Sequence, residues 1–520
     1  MSTVTENLYL LTPEFLLAAL ALLVFALDLV LPESRKTWLA WIGMAGLTAL
    51  AIFSVRMLAG RTESLYGGLL AVDQFSLFFK VFFMGLGVFI ILSSVDFVKQ
   101  HLSHPGEFYG ILLFSILGMN MMAQARELVT AYIALELLSF SLYVLTAYAR
   151  GNPKSNEAAL KYIIIGAFST AVLLYGISMI YSVAGSTHFD ALAETLSSPG
   201  QAGPVLWVGV AFLVAGLGFK LAAVPFHMWA PDVYEGAPLP VTAYLAIASK
   251  AGAAALALRL ISEGLVPARE VWPHWQIILA ALAAASMLVG NLVALAQRNL
   301  KRLMAYSSIG HVGYLLAGMA ALNIGGGMAA NGIIFYLVGY AATSLVVFAA
   351  LISFFNQTGQ EEIADLAGLA DRQPLLAAAI AIGLFSLAGL PIFAGFTIKF
   401  YLFAAVAQGG FLWLAGLAIF SSLISLYYYL QVIRQMYIQP VPGTAPDASG
   451  HGEEPSHTAS HGQAVAGHAS ETAAAALRTP TGMLLAVVVA GLVAVLALGV
   501  YPGPLLEAIE RASQVILPGI

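Results

Sequence analysis

Apolar runs long enough to cross a lipid bilayer, about 20 residues each, recur along almost the whole chain. They fall near 9–31, 38–58, 70–95, 108–125, 127–149, 157–184, 204–226, 238–263, 273–297, 301–322, 328–356, 374–406, 411–438 and 480–501. Hydrocarbon offers no water to satisfy backbone N–H and C=O groups, so such a chain is confined to elements that satisfy their own. The runs predict an all-α polytopic membrane protein with about fourteen transmembrane helices. Composition points the same way. Of the 520 residues 60% are hydrophobic and 9% charged, where a soluble domain has roughly 25% charged residues. The N-terminal MSTVTENLYLLTPEF has no basic residue ahead of its apolar run. A secretory signal normally does, so the first run is expected to be a retained helix.

The net charge of −5 gives no basic field for nucleic acid, and cysteine is absent. Without cysteine the chain cannot hold thiolate-ligated iron–sulfur clusters, disulfides or covalently attached c-type haem. Orientation follows from Lys and Arg in the short loops. Loops after odd-numbered runs hold Arg35, Lys36, Lys99, Arg150, Lys154, Arg298, Lys301, Arg302 and Arg372; those after even-numbered runs hold Arg61, Arg126 and Arg269. Arg434 and Arg478 flank the connection between runs thirteen and fourteen. The odd-numbered loops are therefore expected on the cytoplasmic side and both termini on the other. Residues 440–479, rich in Gly, Ala, Ser, Pro and His, read as a flexible cytoplasmic loop. His451, His457, His461 and His468 offer metal ligands there, but their irregular spacing without cysteine fits a solvated linker better.

Four ionisable residues stand alone inside the apolar runs: Glu136, Lys220, Lys250 and Lys399. Left bare at bilayer depth they would together cost on the order of 10 kcal/mol, so pairing, hydration or ion movement is expected. Run seven reads LVAGLGFKLAAVPFHMW, with Pro225 five residues after Lys220. Run twelve reads FSLAGLPIFAGFTIKFYLF, with Pro391 eight residues before Lys399 and Gly389 and Gly395 nearby. Proline removes a backbone donor and glycine weakens the helix further, so both runs should be discontinuous. Lys-then-Pro in one and Pro-then-Lys in the other, five runs apart, is the pattern of an inverted repeat. Broken helices at matched places in two halves point to an ion pathway. The plainer alternative is two proline kinks that ease packing. The expected organisation is 1–107, an N-terminal three-helix segment; 108–263 and 273–438, two inverted repeats; 439–479, the His-rich loop; and 480–520, a last helix and tail.

Lys220 is the natural partner of Glu136 in the first half. Moving the carboxylate away would favour release of the lysine proton, which makes the pair a two-state switch; the alternative is a static ion pair between helices. Lys250, among Ala, Ser and Gly, would relay protons between the halves, with Lys399 as terminal carrier. His227 and His311 are weaker candidates, since histidine shuttles protons near neutral pH but also serves as a hydrogen-bonded structural residue. Lys80, Lys161, Asp28 and Arg56 lie nearer run ends, where they would snorkel to the interface. Tyr306, Tyr314 and the 427–429 tyrosine cluster would line a hydrated path or an interface belt. GGG at 325–327 lacks the strand–turn–helix context of a dinucleotide site, and no phosphate-binding loop is present.

At these residues the chain resembles the antiporter-like membrane subunits of respiratory complex I, the NADH–quinone oxidoreductase. The resemblance rests on GFKLAAVPFHMWAPDVYEGAPLPVTAYLAIASKAG (218–252), LKRLMAYSSIGHVGYLLAG (300–318) and ALELLSFSLYVLTAY (134–148), and it extends along essentially the whole chain. PDVYEGAP resembles one of the antiporter-like subunits and differs from its sisters, which continue differently after a shared core. About twenty residues follow the last run, so no long lateral helix is expected. The resemblance implies fourteen helices with two inverted five-helix repeats. It also implies proton-transfer roles for Glu136, Lys220, Lys250 and Lys399, and a place in a bacterial inner (plasma) membrane. Flavin, iron–sulfur clusters and quinone chemistry would belong to partner subunits, and this chain would hold no cofactor or metal. Its partners would be the other membrane subunits, lipid and protons. Competing readings are a subunit of a multi-subunit cation/proton antiporter, a subunit of a membrane-bound hydrogenase, and a structural scaffold whose charges are dispensable.

Overall fold

The computed structural model describes residues 7–198, 203–323, 326–441 and 479–517. Most of the His-rich 439–479 tract, with all four of its histidines, and part of the 325–327 glycine run lie outside the described residues.

The chain is mostly helical. Its first helices are α1 (Thr12–Val30), α2 (Thr37–Leu58), α3 (Gln74–His101), α4 (Pro105–Gln124), α5 (Leu128–Thr146), α6 (Pro153–Ala184) and α7 (Pro204–Leu221). A short α8 (Trp229–Gly236) precedes α9, a continuous helical rod over Leu239–Leu265. Then come α10 (Trp272–Ala294), α11 (Leu300–Ala320), α12 (Gly327–Thr358), α13 (Pro374–Ala388), α14 (Ala394–Gln408), α15 (Leu412–Tyr437), α16 (Gly482–Val500) and the short α17 (Gly503–Ser513). Proline opens α4, α6, α7 and α13 at a first-turn position, where its missing N–H would have had no partner anyway. Asp73 and Ser76 form a reciprocal capping box that starts α3.

Among the described residues twelve helices are long and apolar enough to cross a membrane. α11 is not one of them. It spans 21 residues but carries Lys301, Arg302, Ser307, Ser308 and His311, and it is buried along nearly its whole length. Run twelve is divided into α13 and α14, of 15 residues each. The helices form a layered bundle. α9 is wholly buried and α12 nearly so, whereas α1, α6, α15 and α16 are about one-third buried and show apolar side chains outward. A two-stranded hairpin, β1 (Glu63–Leu65) and β2 (Leu70–Val72), caps one end, with Leu65 and Leu70 in a small cluster with Leu10, Leu11 and Leu58. Six residues with no periodic run gave no sign of it in the sequence.

Two stretches share unusual local features. Arg-Glu-Leu (126–128) and Arg-Asn-Leu (298–300) each lead into a helix whose cap residue, Glu127 or Asn299, accepts from two backbone N–H groups. Each cap pairs with a distant segment, Glu127 with His188 and Asn299 with Glu362. Between them run α6 and α12, each 32 residues long, each closed by a left-handed glycine, Gly185 (φ 66°) or Gly359 (φ 70°).

Candidate functional site

The site grows from the two helix breaks. α7 stops where Ala222 turns left-handed (φ 61°), placing Lys220 in its last turn. The carbonyl end of a helix dipole favours a cation there. Lys220 Nζ donates to Ser139 Oγ of α5 at 2.9 Å and lies 6.0 Å from the centre of the Tyr162 ring. Tyr162 stacks on Trp229 at 4.6 Å, and Trp229 Nε1 donates to Phe219 O at 2.9 Å, a carbonyl that also accepts from Ala222 N at the break. Val224 N, freed by the break, donates to Ser286 Oγ at 2.9 Å.

Glu136 is one turn before Ser139 on α5 and half-buried. Among the described residues its Oε1 has no hydrogen-bond partner, and Thr170 of α6 faces the carboxyl. The expected direct pair with Lys220 is not formed. The two groups are within electrostatic reach, but among the described residues no contact of 4.0 Å or less joins them. The reason is position: Lys220 is interior, Glu136 lies toward the outer face of α5, and Ser139 takes the ammonium between them.

Lys250 follows a π-helical turn, Leu245–Ser249, in α9. Such turns often mark functional sites. Its Nζ donates to Ser308 Oγ of α11 at 2.6 Å and sits 5.6 Å from the Tyr234 ring. At the second break α13 ends on Ala388, and Gly389 takes φ 90°. Lys399, on α14, reaches back to donate to Leu387 O (2.7 Å), Ala388 O (3.1 Å) and Ser422 Oγ of α15 (2.7 Å). Gly395 makes this geometry possible: its backbone lies so close to α13 that a Cβ would fall 1.6 Å from Ser386 O. Lys399 and Ser422 edge an apolar groove of about 690 Å³ lined by Phe396, Phe400, Phe403 and Ile419.

Polar groups of α11, α12 and α15 occupy the space between Lys250 and Lys399. His311 hydrogen-bonds through Nδ1 to Tyr336 OH and through Nε2 to Tyr429 OH (3.5 Å). Tyr429 also bonds Ser307. Tyr314 and Asn291 share Ser421, and Tyr428 donates to Asn291 Oδ1 at 2.9 Å. Tyr314, Tyr428 and Tyr429 thus face the interior, while Tyr427 is exposed. His227 lies half-buried in the α7–α8 connection, against the Pro225 backbone.

Lys220, Lys250 and Lys399 are 1%, 3% and 5% exposed, and among the described residues none forms an ion pair. Each instead meets a serine hydroxyl. Sequence reasoning missed Ser139, Ser308 and Ser422, because serine is common in membrane helices and only the fold shows which ones face a lysine. It also missed Arg259, fully buried in α9 and bonded to Asp73 and Glu263. Lys80, expected to snorkel, is buried against Glu14 at 2.5 Å. Asp28 is buried beside Lys36 at 3.4 Å, and Lys161 is part-exposed.

The PDVYEG segment has a structural role. Asp232 receives Lys161 of α6 (2.8 Å) and Arg302 of α11 (2.7 Å); Glu235 receives Lys154 (3.2 Å) and Arg302 (3.0 Å). Burial opposes ionisation of Asp232, but these bonds outweigh it and hold its carboxyl below the usual range. α8 therefore ties α6 to α11.

The family described as "NADH:quinone oxidoreductase/Mrp antiporter, TM" matches residues 125–425, which makes the chain one of the antiporter-like membrane subunits. More narrowly, it belongs to the NADH-quinone oxidoreductase subunit N family. It is 39% identical over 515 residues to the protein of that name from Moorella thermoacetica, covering 98% of this chain and all of the relative. To that from Rhodospirillum rubrum it is 40% identical over 428 residues, covering 82% and 86%. Among solved structures, a chain of respiratory complex I from Thermus thermophilus with bound aureothin is 32% identical, with TM-score 0.75 and coverage of 96% and 100%. A chain of the Mrp complex from Dietzia sp. shares the fold, with TM-score 0.81 at 22% identity and 98% of both chains covered.

Proposed function

We propose that this chain is the proton-translocating membrane subunit of an NADH–quinone oxidoreductase, and that Glu136, Lys220, Lys250 and Lys399 carry protons in it. The observation that carries the reading is the setting of the three lysines: each is buried, lacks a counter-charge among the described residues and meets a serine. A hydroxyl accepts from an ammonium and donates to a neutral amine, so one cradle serves both protonation states. The Ser307–Tyr429–His311–Tyr336 string offers exchangeable hydrogens between Lys250 and Lys399. Flavin, iron–sulfur clusters and quinone chemistry belong to partner subunits.

The finer architecture we infer is fourteen helices, α11 and the α13–α14 pair completing the twelve apolar ones, with inverted repeats over 108–263 and 273–438. The matched caps, bridges and 32-residue helices support it. So do the paired segments FKLAAVP (219–225) and FSLAGLP (385–391), and LAIASK (245–250) and LAIFSS (417–422). On this alignment Ser386 holds the place of Lys220, Ser422 that of Lys250 and Ser308 that of Glu136. Lys399 is then an addition peculiar to the second half. Loop charges support an orientation with both termini periplasmic, and we infer a bacterial inner membrane location from the named bacterial relatives.

The test is Lys220→Ala in the assembled complex, in membrane vesicles. Proton uptake per NADH oxidised should fall with assembly intact. Unchanged uptake would remove Lys220 from the path and leave it a structural residue of the α7 break.

A further inference from the structure

A second buried polar cluster lies apart from the lysines, among α1, α3 and α4. Glu14 of α1 and Lys80 of α3 form its ion pair at 2.5 Å. Gln124, the last residue of α4, donates to Glu14 Oε1 at 2.6 Å. Asn120 is one turn earlier on the same face. That face looks at Lys80. Ile116 of α4 packs on Gly87 of α3, and the short Leu102–His104 turn makes the two helices antiparallel. One and two turns on from Ile116 along α4 are Asn120 and Gln124; two turns back from Gly87 along α3 is Lys80. All four residues are at least nine-tenths buried.

Among the described residues, Glu14 Oε2, both side-chain polar atoms of Asn120 and Gln124 Oε1 have no partner, and Lys80 Nζ has none beyond its ion pair. Donors and acceptors crowded together without protein partners are what buried water satisfies, at about three bonds per molecule. A charged file runs from the surface to the residue beside Gln124. Arg126, 38% exposed, bonds Glu263 at 2.7 Å. Glu263 bonds Arg259, which bonds Asp73 at 2.8 Å and donates to Ala123 O, next to Gln124, at 2.9 Å.

We propose that Glu14, Lys80, Asn120 and Gln124 enclose water and form a second proton-exchanging site; the Arg126–Glu263–Arg259–Asp73 file marks its edge toward the surface, its arginines stay charged, and the proton travels on water. Its ligand is water and the proton that water delivers. Glu14 takes that proton and returns it to the water, while Lys80 keeps its charge and holds the carboxyl in place. The site rests on the proton-translocating reading of the chain.

The experiment compares Glu14→Gln alone with Glu14→Gln combined with Lys80→Met, in the assembled complex in vesicles. If the pair only joins helices, the single variant suffers from an unpaired buried ammonium, and the double, neutral and of similar shape, recovers. If the site exchanges protons, both variants lose about half or more of their proton uptake per NADH, because neither has the carboxyl. Wild-type uptake in the double variant overturns the proposal. Should the double variant fail to assemble, radiolytic labelling of the wild-type complex in ¹⁸O-water decides. Met84, fully buried one turn from Lys80, should be labelled, and the equally buried Met436 should not. An unlabelled Met84 also overturns the proposal. Because this labelling requires no pumping, and Lys220→Ala does not touch the cluster, failure here is separable from failure of the parent reading.

Discussion

Lys250→Met should leave the complex assembled but lower the initial rate of NADH-driven proton uptake in vesicles by about tenfold or more. Methionine is unbranched, close to lysine in shape and adaptable in packing. It also removes a buried charge that has no counter-ion among the described residues, so folding should not suffer. What is lost is the α9 ammonium that donates to Ser308 of α11, the link between the two repeats proposed above. Lys250→Arg sharpens the test. Arginine keeps the positive charge but is not deprotonated in proteins. A lysine needed only for charge is replaced by arginine with uptake retained; one that must release its proton is not. Full uptake in the arginine variant would sink the proton-carrying role.

Gly395→Ala should act on assembly instead. The added Cβ would sit 1.6 Å from Ser386 O, a backbone atom in the last turn of α13. No side-chain rotation relieves that contact. α14 must move off α13, withdrawing Lys399 from Leu387 O and Ala388 O. A cost of about 3 kcal/mol or more is expected, read as loss of the subunit from purified complex. Gly416→Ala on α15 is the control, because its Cβ would meet nothing within 4 Å. Equal loss in both variants, or in neither, would contradict this account of the break.

The breaks in runs seven and twelve were legible because proline and glycine act locally, on the backbone they belong to. The lone charges were legible for a similar reason: nothing around them in the sequence is polar. The cradles were not legible, because Ser139 is 81 residues from Lys220 and Ser308 is 58 from Lys250. Such pairings depend on helix packing, which periodicity does not encode. The Glu136–Lys220 pair failed as a direct contact for the same reason, since which face of α5 meets α7 is a tertiary matter. Arg259 escaped notice because it stands near a helix end, where arginine is ordinary; its partner Asp73 is 186 residues away.

The two π-helical turns of α9, Leu245–Ser249 and Ile261–Leu265, bracket the α-helical segment Lys250–Leu260. A helix advances about 100° per residue, and each π turn accommodates one residue more than an α turn. The bracketed segment is thus out of phase with the start of α9 by about one residue's rotation. In an uninterrupted α-helix of the same sequence Lys250 would be turned away from Ser308, and Arg259 from Ala123. Both contacts are set by the phase shift introduced before the segment, and the second π turn adds a further shift of the same sense after it.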